Sequence, residues 1–150
     1  MDFYAKQGFS NFYIALGYKG NVIKKYFKKN NFGWNIKLID TGKNSMTGGR
    51  LKRLKKYLKN ETFMMTYGDG LSNVNLDKLL KFHIKSKKLA TVTAVHPPAR
   101  FGEIVIKNNK VSAFNEKTTS KNLWINGGFF VIEPDVLNFI DNDSTILEGS

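Results

Sequence analysis

The stretch Thr62-Phe63-Met64-Met65-Thr66-Tyr67, followed at once by Gly68-Asp69-Gly70, reads as a buried strand that stops on a bracketed acid. A continuous apolar run this short fits a strand covered on both faces better than a surface strand, which alternates. In open α/β sheets ligands collect beyond the carboxyl ends of such strands. Flanking glycines let backbone approach a ligand closely, and the carboxylate of Asp69 is a hard oxygen donor suited to Mg2+. A plain strand-end turn is the competing reading, because Asp and Gly are both turn residues.

Outward from this strand the pattern alternates. Towards the N-terminus, Arg50 to Lys59 places Leu51, Leu54, Tyr57 and Leu58 at helical spacing, and Trp34 to Ile39 alternates like a strand. Asn21 to Lys29 puts Val22, Ile23, Tyr26 and Phe27 on one helical face with lysines on the other. Phe12 to Leu16 is a further apolar run that ends at Gly17. Towards the C-terminus, Leu76 to Lys87 is helical and Leu89 to Val95 is a β-branched strand stopped by Pro97-Pro98. Strands alternating with helices predict a mostly parallel mixed sheet with helices on both faces, a Rossmann-like α/β fold. Beyond Pro98, Gly102 to Lys107 and Lys110 to Asn115 predict a hairpin around Asn108-Asn109. Trp124 to Ile132 reads as a last strand, and Pro134 opens a helix through Ile140. No repeat and no linker divides the 150 residues, so a single domain is expected.

Composition excludes several chemistries. With no cysteine and two histidines, the chain has no thiol nucleophile, disulfide scaffold or Cys-based metal site. Its apolar runs fall far short of the about 20 residues of a membrane span, and Met1-Asp2-Phe3 does not open a signal peptide. A cytoplasmic protein is expected. The net charge of +12 suits nucleic acid, an anionic membrane or small polyanionic substrates, or else a solvated lysine surface. No nucleic-acid motif accompanies it, so neither nucleic acid nor membrane is expected as a partner.

Three more constellations can carry chemistry. Ser45-Met46-Thr47-Gly48-Gly49-Arg50 opens a helix, where free N–H groups and the Arg50 fork would face an anion. It lacks P-loop spacing, and taken in isolation an N-cap by Ser45 or Thr47 is the preferred explanation. Glu116-Lys117 closes the hairpin; at a strand end Glu can accept sugar hydroxyls and Lys can meet phosphate, or both are simply solvated. Asn126-Gly127-Gly128-Phe129-Phe130 holds two glycines inside an apolar strand, marking a bulge or a place where ligand meets backbone. His83, among lysines on a helix, reads as a surface group, and His96 shows no partner that would make it a base.

Taken together these motifs resemble the sugar-nucleotide pyrophosphorylases, most closely the glucose-1-phosphate cytidylyltransferases. The resemblance rests on Gly17-Tyr18-Lys19-Gly20, Leu38 to Gly42, Ser45 to Arg53, Thr66 to Gly70, Pro97-Pro98 with Arg100-Phe101-Gly102, Glu116-Lys117, and Asn126 to Val131. These segments run in family order and cover nearly the whole chain. The resemblance implies a nucleotide-diphospho-sugar transferase fold and the formation of CDP-glucose and pyrophosphate from CTP and glucose 1-phosphate. It implies Mg2+ as cofactor, with Asp69 as a metal ligand, and Ser45, Arg50 and Gly68 around the nucleotide. Lys117 would hold the sugar phosphate, Glu116 the sugar hydroxyls, and Gly102, Asn126 and Gly127 the hexose. A thymidylyl- or uridylyltransferase of the same fold, or a non-catalytic sugar-nucleotide-binding module, are the alternatives.

The chain departs from the family pattern in four ways. It has no GGxGTR loop with its KPKP segment, no second metal aspartate, a short Lys28 to Gly33 segment, and Thr118 where proline follows Glu-Lys. The expectation is an internal fragment lacking an N-terminal strand and C-terminal part, with an exposed sheet edge and no transferase activity of its own. A homo-oligomer is expected only for the full length.

Overall fold

The computed structural model describes residues 1–58, 60–98, 102–115 and 123–149. Its elements are α1 (Asp2–Ala5), β1 (Asn11–Leu16), α2 (Gly20–Lys29), β2 (Asn35–Asp40), α3 (Thr47–Leu54), β3 (Phe63–Thr66), α4 (Leu76–Ser86), β4 (Ala90–Val95), β5 (Glu103–Lys107), β6 (Lys110–Asn115) and β7 (Ile125–Ile132). Short 3-10 turns follow α3 and β7, the second covering Pro134–Phe139 where the sequence suggests an α-helix. The α/β class and element order are those expected. Two compact units emerge, Met1–Met64 with Ser72–Thr91 and Val131–Ser150, and Met65–Leu71 with Val92–Phe130.

In the first unit β1 and β2 pair in parallel, from Asn11 opposite Asn35 to Leu16 opposite Asp40. A parallel pair needs a crossover, and α2 supplies it. The apolar stripe of α2 does not reach a core: none of its residues is buried, and Val22 and Tyr26 stay exposed. Helix α3, by contrast, buries Leu51 and Leu54, and the core also holds Leu16, Ile39, Leu76, Leu79, Val131, Ile132, Leu137 and Ile140.

Helix α4 starts where the Asn75 side chain accepts the Lys78 N–H, 2.8 Å away. Leu76, Leu79 and His83 follow at helical spacing, so His83 lies on the buried stripe, 1% exposed, and is not the surface group its lysine neighbours suggest. Its Nδ1 is 2.8 Å from Thr91 Oγ1 and its Nε2 is 2.9 Å from Glu133 Oε1. The Thr62 hydroxyl donates to the same carboxylate at 2.9 Å. This cluster satisfies every polar atom of a buried imidazole, which is what makes its burial affordable in free energy.

Strands β3, β7 and β4 form a three-stranded sheet in that order. In the second unit β5 and β6 are an antiparallel hairpin. Its turn residues Asn108 and Asn109 both have positive φ, 48° and 59°, as a two-residue type I′ turn requires.

Candidate functional site

In the second unit the chain leaves β3 through a tight turn in which the Gly70 N–H donates to the Tyr67 carbonyl at 3.3 Å. Gly68 and Asp69 occupy the turn's tip, and the Asp69 side chain is exposed. A Cβ added to Gly68 would meet nothing within 4 Å, so the space in front of this backbone is open. The turn therefore offers a carboxylate and an unobstructed backbone at the carboxyl end of β3.

The glycine pair of β7 is fitted to this turn. Gly128 has φ of 74°, and a Cβ there would lie 3.0 Å from Tyr67 Cδ2. The Asn126 side-chain oxygen accepts the Gly128 N–H at 2.7 Å, which holds the kink and leaves the Asn126 amide nitrogen to donate outward. At Gly127 a Cβ would come within 2.9 Å of Thr93 Oγ1. Thr93 in turn donates to the Phe129 carbonyl at 3.2 Å, and Tyr67 meets Phe130 edge to face at 5.9 Å. The second unit thus brings Gly68, Asp69, Asn126 and Gly127 to one region, through Tyr67 and Thr93, two residues that no motif reading singled out. Gly102 is exposed at the entry to β5. Glu116 and Lys117 lie outside the described residues, as do Arg100 and Phe101.

Ser45 and Arg50 belong to the first unit. The buried Ser45 hydroxyl donates to the Thr41 carbonyl at 2.6 Å. Arg50 Nη1 donates to Leu16 O at 3.3 Å and Thr41 Oγ1 at 3.0 Å, and Nη2 donates to Lys43 O at 3.3 Å. Its guanidinium lies against Gly17, where a Cβ would be 2.8 Å from Cζ. Arg50 therefore braces the loops after β1 and β2.

The glycines ahead of it do not present free N–H groups. Gly48 and Gly49 lie inside α3, and both donate to Thr145 O, at 3.0 and 3.3 Å. The Met46 N–H donates to Asp143 O at 2.8 Å. A Cβ on Gly48 would sit 2.8 Å from Thr145 O, and one on Gly49 would run into the Asp143 backbone. The glycine pair is thus a packing requirement for the 143–145 loop, which caps the helix that the sequence suggests is open to an anion. Neither Ser45 nor Thr47 is the cap; Met46 holds that position without a side-chain bond. Arg53 pairs with Asp143 in two hydrogen bonds, one of them 2.8 Å from Nε to Oδ1. Those bonds hold the Asp143 carboxyl below its ordinary range.

Beside Arg50, a cavity of about 250 Å³ opens at the carboxyl ends of β1 and β2, lined by Gly17, Tyr18, Lys19, Lys24, Asp40 and Lys43. The Lys19 and Lys43 ammonium groups sit 5.4 and 5.7 Å from the Tyr18 ring centroid, within cation–π range. Three lysines against one aspartate give this cavity a positive potential suited to phosphate.

For a divalent cation, no group of three or more His, Cys, Asp or Glu occurs among the described residues. An exposed carboxylate beside open backbone nonetheless fits Mg2+, which keeps waters and takes one or two carboxylates together with substrate phosphates. No helix among the described residues is long and apolar enough to cross a membrane.

The chain is 42% identical to the glucose-1-phosphate cytidylyltransferase of Salmonella typhimurium, across 99% of its own length and 66% of that protein's. It is 33% identical to the D-glycero-alpha-D-manno-heptose 1-phosphate guanylyltransferase of Campylobacter jejuni, across 91% of this chain and 61% of the relative. The chain therefore spans less than two thirds of the length of these relatives. The crystal structure of HddC from Yersinia pseudotuberculosis shares the fold, with a TM-score of 0.77 at 21% identity over 99% of this chain and 67% of HddC. The nucleotidyl transferase family model matches residues 2–148, and the chain belongs to the nucleotidyl transferase family.

Proposed function

We propose that the whole protein is a glucose-1-phosphate cytidylyltransferase, converting CTP and glucose 1-phosphate into CDP-glucose and pyrophosphate. The observation that carries this is the exposed Asp69 turn fitted against Asn126-Gly127-Gly128, in a chain 42% identical to an enzyme of that name. A phosphate oxygen of the sugar phosphate attacks the α-phosphorus of CTP in line. The bond from that phosphorus to the bridging oxygen breaks, and its electron pair leaves with pyrophosphate. No covalent enzyme intermediate is needed, so the work is positioning and charge neutralisation.

Asp69 would hold Mg2+, which when bound neutralises charge on the phosphate oxygens. Gly68 presents open backbone to the nucleotide. The N–H groups of Arg50, with Ser45 fixing the loop behind it, suit acceptors such as cytosine O2 and N3. The Asn126 amide nitrogen and the backbone at Gly102 and Gly127 suit hexose hydroxyls, and by resemblance Glu116 and Lys117 would serve the hydroxyls and the phosphate.

The test is pyrophosphate release by the whole protein from glucose 1-phosphate and each of CTP, UTP, dTTP and GTP, with and without Mg2+. CTP should be preferred and Mg2+ required. Release from none of the four would overturn the reading. The guanylyltransferase relative makes a heptose 1-phosphate with GTP the second pair to assay, and turnover of that pair alone would replace the proposal.

A further inference from the structure

Trp124 stands just ahead of β7 and is 61% exposed. A scattered exposed apolar residue ordinarily needs no explanation. Trp124 differs because its ring is held. The His96 ring lies 3.7 Å from the indole centroid, with the planes 35° apart. His96 Nδ1 is 2.9 Å from the Leu123 carbonyl, which can only accept, so Nδ1 carries the proton and anchors the imidazole to the residue preceding the indole. One face of Trp124 is thereby backed by a fixed ring while much of the side chain stays in solvent.

Its position along the chain matters as much. Trp124 and Asn126 flank the first residue of β7 and are both exposed. The entry to β7 therefore carries an exposed apolar ring two residues from the Asn126 amide nitrogen, whose partner oxygen is already used on Gly128. A pyranose has this same division, with a face of C–H groups and a rim of hydroxyls. A nucleobase also stacks on an indole and can accept from such a nitrogen; the hexose is favoured because the reading above places Asn126 and Gly127 at the sugar.

We infer that Trp124 is a stacking platform for the hexose of the sugar phosphate, held in place by His96. This rests on the sugar-phosphate reading above and adds a specificity-determining residue to it. Preorganisation is the reason for the His96 backing: a ring already held loses little freedom when the sugar arrives.

Saturation-transfer NMR and affinity measurements on the whole protein test this, with glucose 1-phosphate and CTP as separate probes. In the parent, saturation should reach the hexose ring protons. Trp124→Ala should weaken glucose 1-phosphate about tenfold and leave CTP unchanged, while Trp124→Phe should retain most of the affinity. Where Trp34 and any tryptophan outside these 150 residues are replaced by Phe, Trp124 is the only indole. Its emission should then shift with glucose 1-phosphate and not with inorganic phosphate. An unchanged sugar affinity in Trp124→Ala, or silent emission in the single-indole chain that still binds the sugar, removes the platform but leaves the sugar-phosphate reading standing. A loss of CTP instead assigns the ring to the base and overturns the inference. Absence of glucose 1-phosphate binding by the parent, with CTP present, overturns both.

Discussion

The Tyr67 ring occupies the space that a side chain at Gly128 would need. A Cβ there would stand 3.0 Å from Tyr67 Cδ2, and the backbone of Gly128 is in the left-handed region at φ 74°. Both constraints act on one residue: the first comes from Tyr67, at the start of the turn that carries Asp69, and the second from the kink held by the Asn126 side chain. Gly128→Ala should therefore destabilise the protein by about 2–4 kcal/mol, adding a backbone cost of about 1 kcal/mol to an overpacking cost of about 1–3 kcal/mol. Urea denaturation followed by circular dichroism measures it. A variant as stable as the parent would show that Tyr67 does not lock this strand.

Asp69 is the opposite kind of residue. It is exposed on a turn held by backbone, so its side chain is free to serve a ligand without supporting the fold. Asp69→Asn should lower the turnover of the whole protein by about a hundredfold or more, as loss of a charge at a phosphoryl-transfer site does. Its denaturation midpoint should stay within experimental scatter of the parent. Undiminished turnover would remove Asp69 from metal binding, and a collapsed midpoint would make it structural.

Much of this arrangement is readable along the chain because its causes are local. Apolar runs ended by glycine mark β1 and β3, and Asn108-Asn109 meets the positive φ that a two-residue hairpin turn demands. Long-range packing hides the rest. Gly48-Gly49 looks like an anion cradle until residues 143–145, nearly a hundred positions away, are seen capping it. His83 looks exposed when its lysine neighbours are read, although its spacing from Leu76 and Leu79 places it on the core stripe. Conversely, the stripe of α2 reads as a core face and buries nothing. The grouping of Asp69 with Asn126 depends on Tyr67 and Gly128 meeting across the sheet, which no spacing along the chain encodes.

His83 ties helix α4 to Thr91 and Glu133, one partner for each nitrogen of the buried ring. Removing it leaves a carboxylate and a hydroxyl facing a cavity. His83→Ala should cost about 2–5 kcal/mol, more than an exposed histidine would. Thr91→Val leaves His83 Nδ1 without its partner in a ring 1% exposed and should cost about 1–3 kcal/mol. A double-mutant cycle between residues 83 and 91 measures their coupling. Strict additivity would mean that the cluster does not act as a unit.

The Arg53–Asp143 pair predicts a pH effect of definite sign. Hydrogen bonding to Arg53 is the main cause of the lowered Asp143 pKa, whose ordinary value is 3.8, with the charges of Arg53 and Lys52 adding to it. A carboxyl whose pKa is depressed in the folded state stabilises that state above its unfolded value. The contribution is lost as pH falls through the folded value. Both partners are about half exposed, so the effect is modest and screened by salt. It still has leverage, because Asp143 lies in the loop that caps α3 through Met46. Asp143→Asn should be less stable than the parent at pH 7, and the two should converge as pH drops below 3.8. Raising the salt at pH 7 should narrow the same gap. Thermal midpoints across pH 2 to 7 at two ionic strengths decide it: no gap at any pH would assign the role of Asp143 to its backbone carbonyl alone, and a gap that ignores both pH and salt would remove the charge pair as its cause.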